Sequence, residues 1–263
     1  MTTDPAGHPP VGPAGVFDLT GRTALVTGAS SGLGWRMALV LAHAGATVAV
    51  TARRGERLEA LAAEHGSIHP FVADLSDASQ RERLVAEVEG ALGTLDVLVN
   101  NAGVANPTPI EQESLAEFQA MIDINLTSAW HLTKMFGVGM VAAGRGSVVN
   151  IASMLGVVGA TPSKQTGYPA AKAGLINLTR ELGLQWARKG VRVNAICPGW
   201  FATEMTDDLL SSDAGVHFIA ENTPLQRAGL PHEIDGPLLL LASDASSFMT
   251  GSILLVDGGW TAR

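Results

Sequence analysis

Cysteine is almost missing from this chain of 263 residues, with Cys197 standing alone. A single thiol can form neither an internal disulfide nor a thiolate zinc site, and that usage fits a reducing, cytoplasmic setting. Tyrosine is as scarce, Tyr168 being the one example. Positive charge is short too: 17 Lys and Arg face 25 Asp and Glu, for a formal charge of -8 and a pI near 5.3. That balance argues against a nucleic-acid partner or an anionic membrane surface. The most apolar stretch, residues 37–52, is interrupted by His43, Gly45 and Thr47 and falls short of the ~20 apolar residues that a membrane span requires. The seven histidines have no cysteine partners, and no metal site is expected.

Proline is concentrated at the start, where Pro5, Pro9, Pro10 and Pro13 fall within the first sixteen residues. No basic segment followed by an apolar one accompanies them, so residues 1–16 read as a flexible tail rather than a signal peptide. Residues 17–263 show neither a composition shift nor an internal repeat, and read as one domain.

That domain has ample apolar surface: 46% of the chain is hydrophobic and its mean hydropathy is +0.23. Short β-branched runs recur at residues 23–26, 47–51, 69–73, 97–100, 147–151, 191–196 and 253–256. Most are continuously apolar, as expected of parallel strands covered on both faces. The segments between them are long enough for crossover helices, at residues 33–44, 57–64, 78–91, 114–143, 167–188 and 231–242. The expected fold is α/β, a doubly wound, Rossmann-type parallel sheet of seven strands with helices on both faces. Residues 200–222 belong to neither sheet nor crossover, and read as a lid.

Directly after the first strand comes Thr27-Gly28-Ala29-Ser30-Ser31-Gly32-Leu33-Gly34, leading into an apolar helix. Glycines there let the backbone turn sharply and approach a pyrophosphate, while the free N–H groups of the helix start favour negative charge. At the end of the second strand, a carboxylate would bind the ribose 2′-hydroxyl of NAD. Ala52 stands there instead, followed by Arg53 and Arg54, whose guanidiniums suit the 2′-phosphate of NADP. NADP(H) is therefore the expected cofactor, with NAD(H) the alternative.

Tyr168 and Lys172 lie four apart at the start of an expected helix and so share one face. A phenol titrates near pH ~10 and needs a neighbouring cation to exchange protons near neutrality. Lys172 is placed to supply it. Ser153, at the end of the fifth strand, can hydrogen-bond a substrate oxygen at the carboxyl edge of the sheet, where ligands of such folds bind.

With these residues go Asn100-Asn101-Ala102-Gly103, Asn125, Pro198-Gly199 with Thr203, and a closing Asp257-Gly258-Gly259. The set, in this order from about Leu19 to Gly259, resembles the short-chain dehydrogenase/reductase family, including its 3-oxoacyl-acyl-carrier-protein reductases and gluconate 5-dehydrogenases. The resemblance implies the strand order 3-2-1-4-5-6-7 and a catalytic tetrad. Tyr168 would be general acid or base, and Lys172 would lower its pKa and hold the nicotinamide ribose. Ser153 would polarise the substrate oxygen, and Asn125 would position a water. It also places Asp74 and Leu75 along the adenine, Asn101, Ala102 and Gly103 along the adenosine ribose, and Pro198, Gly199, Phe201 and Thr203 beside the nicotinamide. Helices matching residues 114–143 and 167–188 would pair subunits into a homotetramer, or a dimer.

The expected activity is reduction of a ketone, with a 3-oxoacyl thioester as one candidate, or the reverse oxidation of a secondary alcohol. Oxidation of a polyol or sugar acid is an alternative, and so is a dinucleotide sensor without turnover. Two features stand apart from the pattern. Ser153 and Tyr168 are fifteen positions apart (168 − 153), which lengthens the loop around Pro162, Ser163 and Lys164, and Pro169 disfavours helical geometry at Tyr168. Trp200, Phe201, Met205, Leu209, Leu210, Phe218 and Ile219 suggest an apolar-leaning pocket.

Overall fold

A computed structural model describes residues 13–160 and 163–262 of the chain. Most of the expected tail therefore lies outside the described residues, as does Pro162. The tail's last four residues form one helical turn, α1 (Pro13–Val16).

All seven expected strands form: β1 (Thr23–Thr27), β2 (Thr47–Ala52), β3 (Ile68–Val72), β4 (Val97–Asn100), β5 (Gly146–Ile151), β6 (Val191–Pro198) and β7 (Ile253–Val256). They pair in parallel in the order β3-β2-β1-β4-β5-β6-β7. The crossovers carry α2 (Gly32–His43), α3 (Gly55–Glu64), α4 (Ala78–Leu92), α5 (Leu115–Ile122), α6 (Ser128–Ala143) and α7 (Gly167–Trp186). Beyond β6 come α8 (Asp207–Leu210), α9 (Asp213–Asn222) and α10 (Asp235–Ala242).

Alternate residues of each strand face opposite helix layers. Ala24, Val26, Val97, Val99, Val149 and Ile151 pack with Leu41 of α2 and Leu238 and Leu241 of α10. Leu25, Leu98 and Val148 pack with Leu84 of α4 and with Leu132, Phe136 and Met140 of α6. Each of these large side chains is buried, and each contributes about 1.5–3 kcal/mol of hydrophobic stabilisation.

A polar network ties the second layer to the sheet. Asn100 donates to the Thr133 hydroxyl of α6 at 2.9 Å and to Asn150 Oδ1 at 2.8 Å. Asn150 in turn donates to the Thr179 hydroxyl of α7 at 2.9 Å.

The helix expected over residues 114–143 is interrupted by a π-helical turn, Asp123–Thr127, between α5 and α6. Single π turns inside α-helices mark functional sites unusually often. The lid expected over residues 200–222 is not an irregular loop but holds a 3-10 turn (Glu204–Thr206), α8 and α9. Its base is closed by backbone: Gly229 N donates to Trp200 O at 2.8 Å, and Ala202 N to Gly229 O at 3.0 Å. Pro169 is accommodated because α7 begins at Gly167, so the missing N–H falls in the first turn, where no intrahelical acceptor exists.

Candidate active site

The carboxyl ends of β1, β4, β5 and β6 border a cavity of about 190 Å³, roofed by the start of the lid. Around it stand Gly28, Ser31, Gly32, Leu33 and Gly34 from the turn after β1, and Asn101 and Gly103 after β4. Ser153 after β5, Tyr168 and Lys172 of α7, and Pro198, Gly199, Phe201 and Thr203 after β6 complete the group of expected residues.

The glycine turn is shaped for a close approach. Gly28 and Gly32 have φ of +66° and +56°, a region L side chains rarely enter. A Cβ on Gly34 would lie 2.3 Å from the Gly28 carbonyl oxygen, and one on Gly28 would lie 2.8 Å from Ala102 Cα. Ser31, the residue before α2, is extended and makes no side-chain cap, which leaves the first N–H groups of the helix for an anion. These features fit a dinucleotide pyrophosphate.

The side chain of Asn101 braces that turn: its Nδ2 donates to Thr27 O at 2.8 Å and Gly28 O at 3.2 Å. Thr27 Oγ1 accepts the backbone N–H groups of Asn101 and Ala102, both at 2.9 Å.

Ser30, Arg53, Arg54, Asp74, Leu75 and Ala102 lie outside this cavity's lining. Arg54 donates to Ser30 Oγ at 3.0 Å and Ser31 Oγ at 2.7 Å. Asp74 accepts Ser76 N at 2.9 Å and Ser76 Oγ at 2.8 Å. These two bonds are the chief reason its carboxyl sits below the usual range, with the charge of Arg53 a smaller cause. Leu75 is buried, and its carbonyl accepts Arg81 NH1 at 2.5 Å.

Lys172 is 3% exposed. Its Nζ donates to Ile151 O at 2.9 Å and lies 5.6 Å from the centroid of the Tyr168 ring. Burial pushes the ammonium down to about 8. Burial also raises the Tyr168 phenol above its ordinary value, against a hydrogen bond with Ser153 that lowers it. Ser153 Oγ accepts Leu155 N at 3.1 Å, which fixes its direction.

Asn125 is buried in the π turn and lies outside the cavity lining. Its Nδ2 donates to Val104 O and Met121 O, both at 2.9 Å, while Oδ1 accepts Val104 N at 3.2 Å. Its amide is thus occupied by main chain.

Phe201 borders the cavity, but its ring is buried in the core against Gly229. Ile219 is also in the interior, and Phe218 packs edge-on against Trp260 at 5.7 Å. Of the expected apolar rim, Met205 lines the cavity together with Phe201.

Sequence reasoning missed Ile151, Ala152, Glu204 and Thr206, which also line it. The first two adjoin Ser153 and could have been named from that position. Glu204 gives no local signal, because its partners Arg54 and Arg57 are 150 and 147 positions away.

Among the described residues no cluster of His, Cys, Asp and Glu could hold a metal ion. His65 and His69 stand four apart in sequence, but they flank the entry to β3 rather than sharing a helix face. No described helix is long and apolar enough to cross a membrane.

A bare glycine turn at a helix start, set where the strand order of a doubly wound sheet reverses, defines the class of dinucleotide-dependent α/β enzymes. Comparison with known proteins narrows the class. A family model described as enoyl-(acyl carrier protein) reductase matches residues 28–261. The chain is 38% identical over 248 residues to galactitol 2-dehydrogenase (L-tagatose-forming) of Cereibacter sphaeroides, covering 94% of this chain and 97% of that protein. It is 36% identical over 245 residues to the 3-oxoacyl-(acyl-carrier-protein) reductase FabG of Thermotoga maritima, covering 92% and 98%. A crystal structure of a gluconate 5-dehydrogenase from Burkholderia cenocepacia, in complex with NADP and tartrate, superposes with a TM-score of 0.89 at 33% identity, covering 94% and 98%. The chain belongs to the short-chain dehydrogenase/reductase family. It is an NAD(P)-dependent oxidoreductase that interconverts secondary alcohols and ketones.

Proposed function

We propose that the chain is an NADP(H)-dependent carbonyl reductase in which Tyr168, Lys172 and Ser153 carry the proton chemistry. The observation that carries this reading is the meeting of these three side chains around one cavity that continues to the glycine turn. The dinucleotide supplies the hydride. Ser153 hydrogen-bonds the substrate oxygen and Tyr168 gives it a proton, the reverse occurring in alcohol oxidation. Lys172, as a cation beside the ring, favours the phenolate that remains and shortens the step. Asn125 is a positioning residue, holding the chain after β4 against the π turn.

Two guanidiniums and no carboxylate after β2 support the phosphorylated cofactor, with Arg54 already bonded to Ser30 and Ser31. Titration with NADPH and NADH, followed by nicotinamide fluorescence, tests it. Arg53→Asp should weaken NADPH binding selectively, by about tenfold or more for a lost phosphate contact. A wild type that prefers NADH overturns the cofactor assignment.

A second substrate reading, oxidation of a polyol or sugar acid, is favoured by the names of the galactitol and gluconate dehydrogenases above. Rates with ketones and 3-oxoacyl thioesters plus NADPH, set against galactitol and gluconate plus NADP, decide between them. A sensor without turnover is disfavoured, since Tyr168 and Lys172 are both present and in contact.

Residues 17–263 act as one domain in this reading, in the cytoplasm. The assembly is a homotetramer: Leu115, Trp130, Val138 and Leu184 are exposed on the helices to which the family resemblance assigns subunit contact. Light scattering at working concentration tests the assembly.

A further inference from the structure

Arg54, one of the two arginines just assigned to the 2′-phosphate, already holds an anion, and it comes from the protein. Glu204, in the first turn of the lid, places Oε2 at 3.1 Å from both NH1 and NH2 of Arg54 and Oε1 at 2.5 Å from NH1 of Arg57. The Ser31 hydroxyl also hydrogen-bonds it and is the chief cause holding its carboxyl below the usual range, with Arg54 and Arg57 adding to the effect against desolvation. Two guanidiniums, a serine hydroxyl and a helix start make a donor set suited to phosphate. The neighbouring Thr203 packs on Gly32, whose Cβ would lie 3.3 Å from Thr203 Cβ. Lid and glycine turn are thereby joined. The cavity they leave, about 190 Å³, is below the roughly 300–1,000 Å³ of ordinary ligand sites.

We propose that Glu204 is an internal rival of the 2′-phosphate: lid carboxylate and cofactor phosphate take the Arg54 guanidinium in turn. Arrival of the phosphorylated dinucleotide therefore releases the lid from Arg54 and Arg57, and the unphosphorylated one does not. The inference rests on the placement of the 2′-phosphate beside Arg53 and Arg54 proposed above. Charge sets the direction of the exchange, since a phosphate monoester carries about -1.5 to -2 near neutrality and three acceptor oxygens, against one charge on Glu204. Weakness makes it reversible. The side chains of Arg54 and Glu204 are 46% and 45% exposed, and pairs in such solvent are readily displaced. Glu204 thus lowers affinity for NADP(H) while coupling lid release to the identity of the cofactor.

The test compares wild type with Glu204→Gln, by fluorescence titration with NADPH and NADH and by chymotrypsin cleavage of the lid at Leu209, Leu210 and Phe218. Adenosine 2′,5′-bisphosphate serves as the phosphate probe in the cleavage experiment. The variant should bind NADPH about fivefold tighter, the scale of one displaced surface ion pair, with NADH affinity unchanged. The bisphosphate should speed cleavage of the wild-type lid, and cleavage of the variant should be fast without it. A wild type that prefers NADPH, with a variant that binds it no tighter or more weakly, overturns the inference and leaves the cofactor assignment standing. Equal tightening toward both dinucleotides overturns it as well. A wild type indifferent to the 2′-phosphate removes the assignment and the inference together.

Discussion

Gly103 and Lys172 stand so close that a Cβ on residue 103 would lie 3.3 Å from the lysine Nζ, and only 2.7 Å from Asn125 Oδ1. The glycine after β4 is therefore a spacing element for Lys172 and Asn125 at once. Gly103→Ala should push Lys172 or the Val104–Asn125 bonds out of place. Overpacking of this kind costs about 1–3 kcal/mol, and a misplacement of about 1 Å costs ~100-fold in rate. Thermal melting and steady-state kinetics on one preparation check both, and a variant with wild-type turnover would sink the spacing argument.

Lys172 sets activity against stability. Tyr168→Phe should lower kcat by ~100- to 10,000-fold, the usual worth of a general acid, with dinucleotide binding retained. Lys172→Met should also lose activity yet stabilise the fold at pH 7 by about 1–2 kcal/mol, because an ammonium buried without a carboxylate is replaced by an apolar chain. The sign follows from linkage. The lysine titrates at 10.5 when unfolded and about 8 when folded, so the penalty is complete below pH 8 and gone above 10.5. Urea titrations should show the advantage of the variant shrinking across that interval.

His131 predicts acid sensitivity. Its Nδ1 accepts Arg81 Nε at 3.0 Å. Burial, then Arg81 and Lys134, hold the imidazole below its ordinary 6.5, with Glu82 opposing. The unfolded chain takes a proton near pH 6.5 that the folded chain refuses, so this contribution is present above 6.5 and lost as pH falls. Chemical denaturation between pH 7.5 and about 5 should show a steeper loss in wild type than in His131→Gln.

Asn150 joins two helices to the sheet through Asn100 and Thr179. Asn150→Ala removes one bond each from Asn100 and Thr179, which keep Thr133 and Leu175 O as partners, at a cost of about 0.5–1.5 kcal/mol for each bond lost. Denaturant midpoints measure the loss, and a variant as stable as wild type would show that the network is dispensable.

The strands were legible because each is a short apolar run, and a buried parallel strand needs nothing more local than that. The grouping of Tyr168, Lys172 and Ser153 was legible for another reason: α7 alone sets Tyr168 beside Lys172, and Ser153 closes a strand. The π turn was not, since it is anchored to Val104 and Met121 through Asn125, a contact that no periodicity announces. The internal structure of the lid was hidden for a similar cause. Polar and apolar residues in the segment from Thr203 to Asn222 serve short turns packed on Trp260 and the core, rather than one amphipathic face. Arg81 shows the same limit: it reads as a surface charge of α4, yet it is 6% exposed because Leu75 O and His131 accept its protons.

The backbone closure between Trp200, Ala202 and Gly229 makes the region between them a detachable cassette. Its two ends meet at fixed hydrogen bonds, and Ser153, Tyr168, Lys172 and the glycine turn all precede it in the chain. The entropy of closing such a loop grows only slowly with its length. Segments of different size and lining can therefore be exchanged at this one junction, so that substrate choice and, through Glu204, cofactor affinity can diversify while Ser153, Tyr168 and Lys172 stay in place.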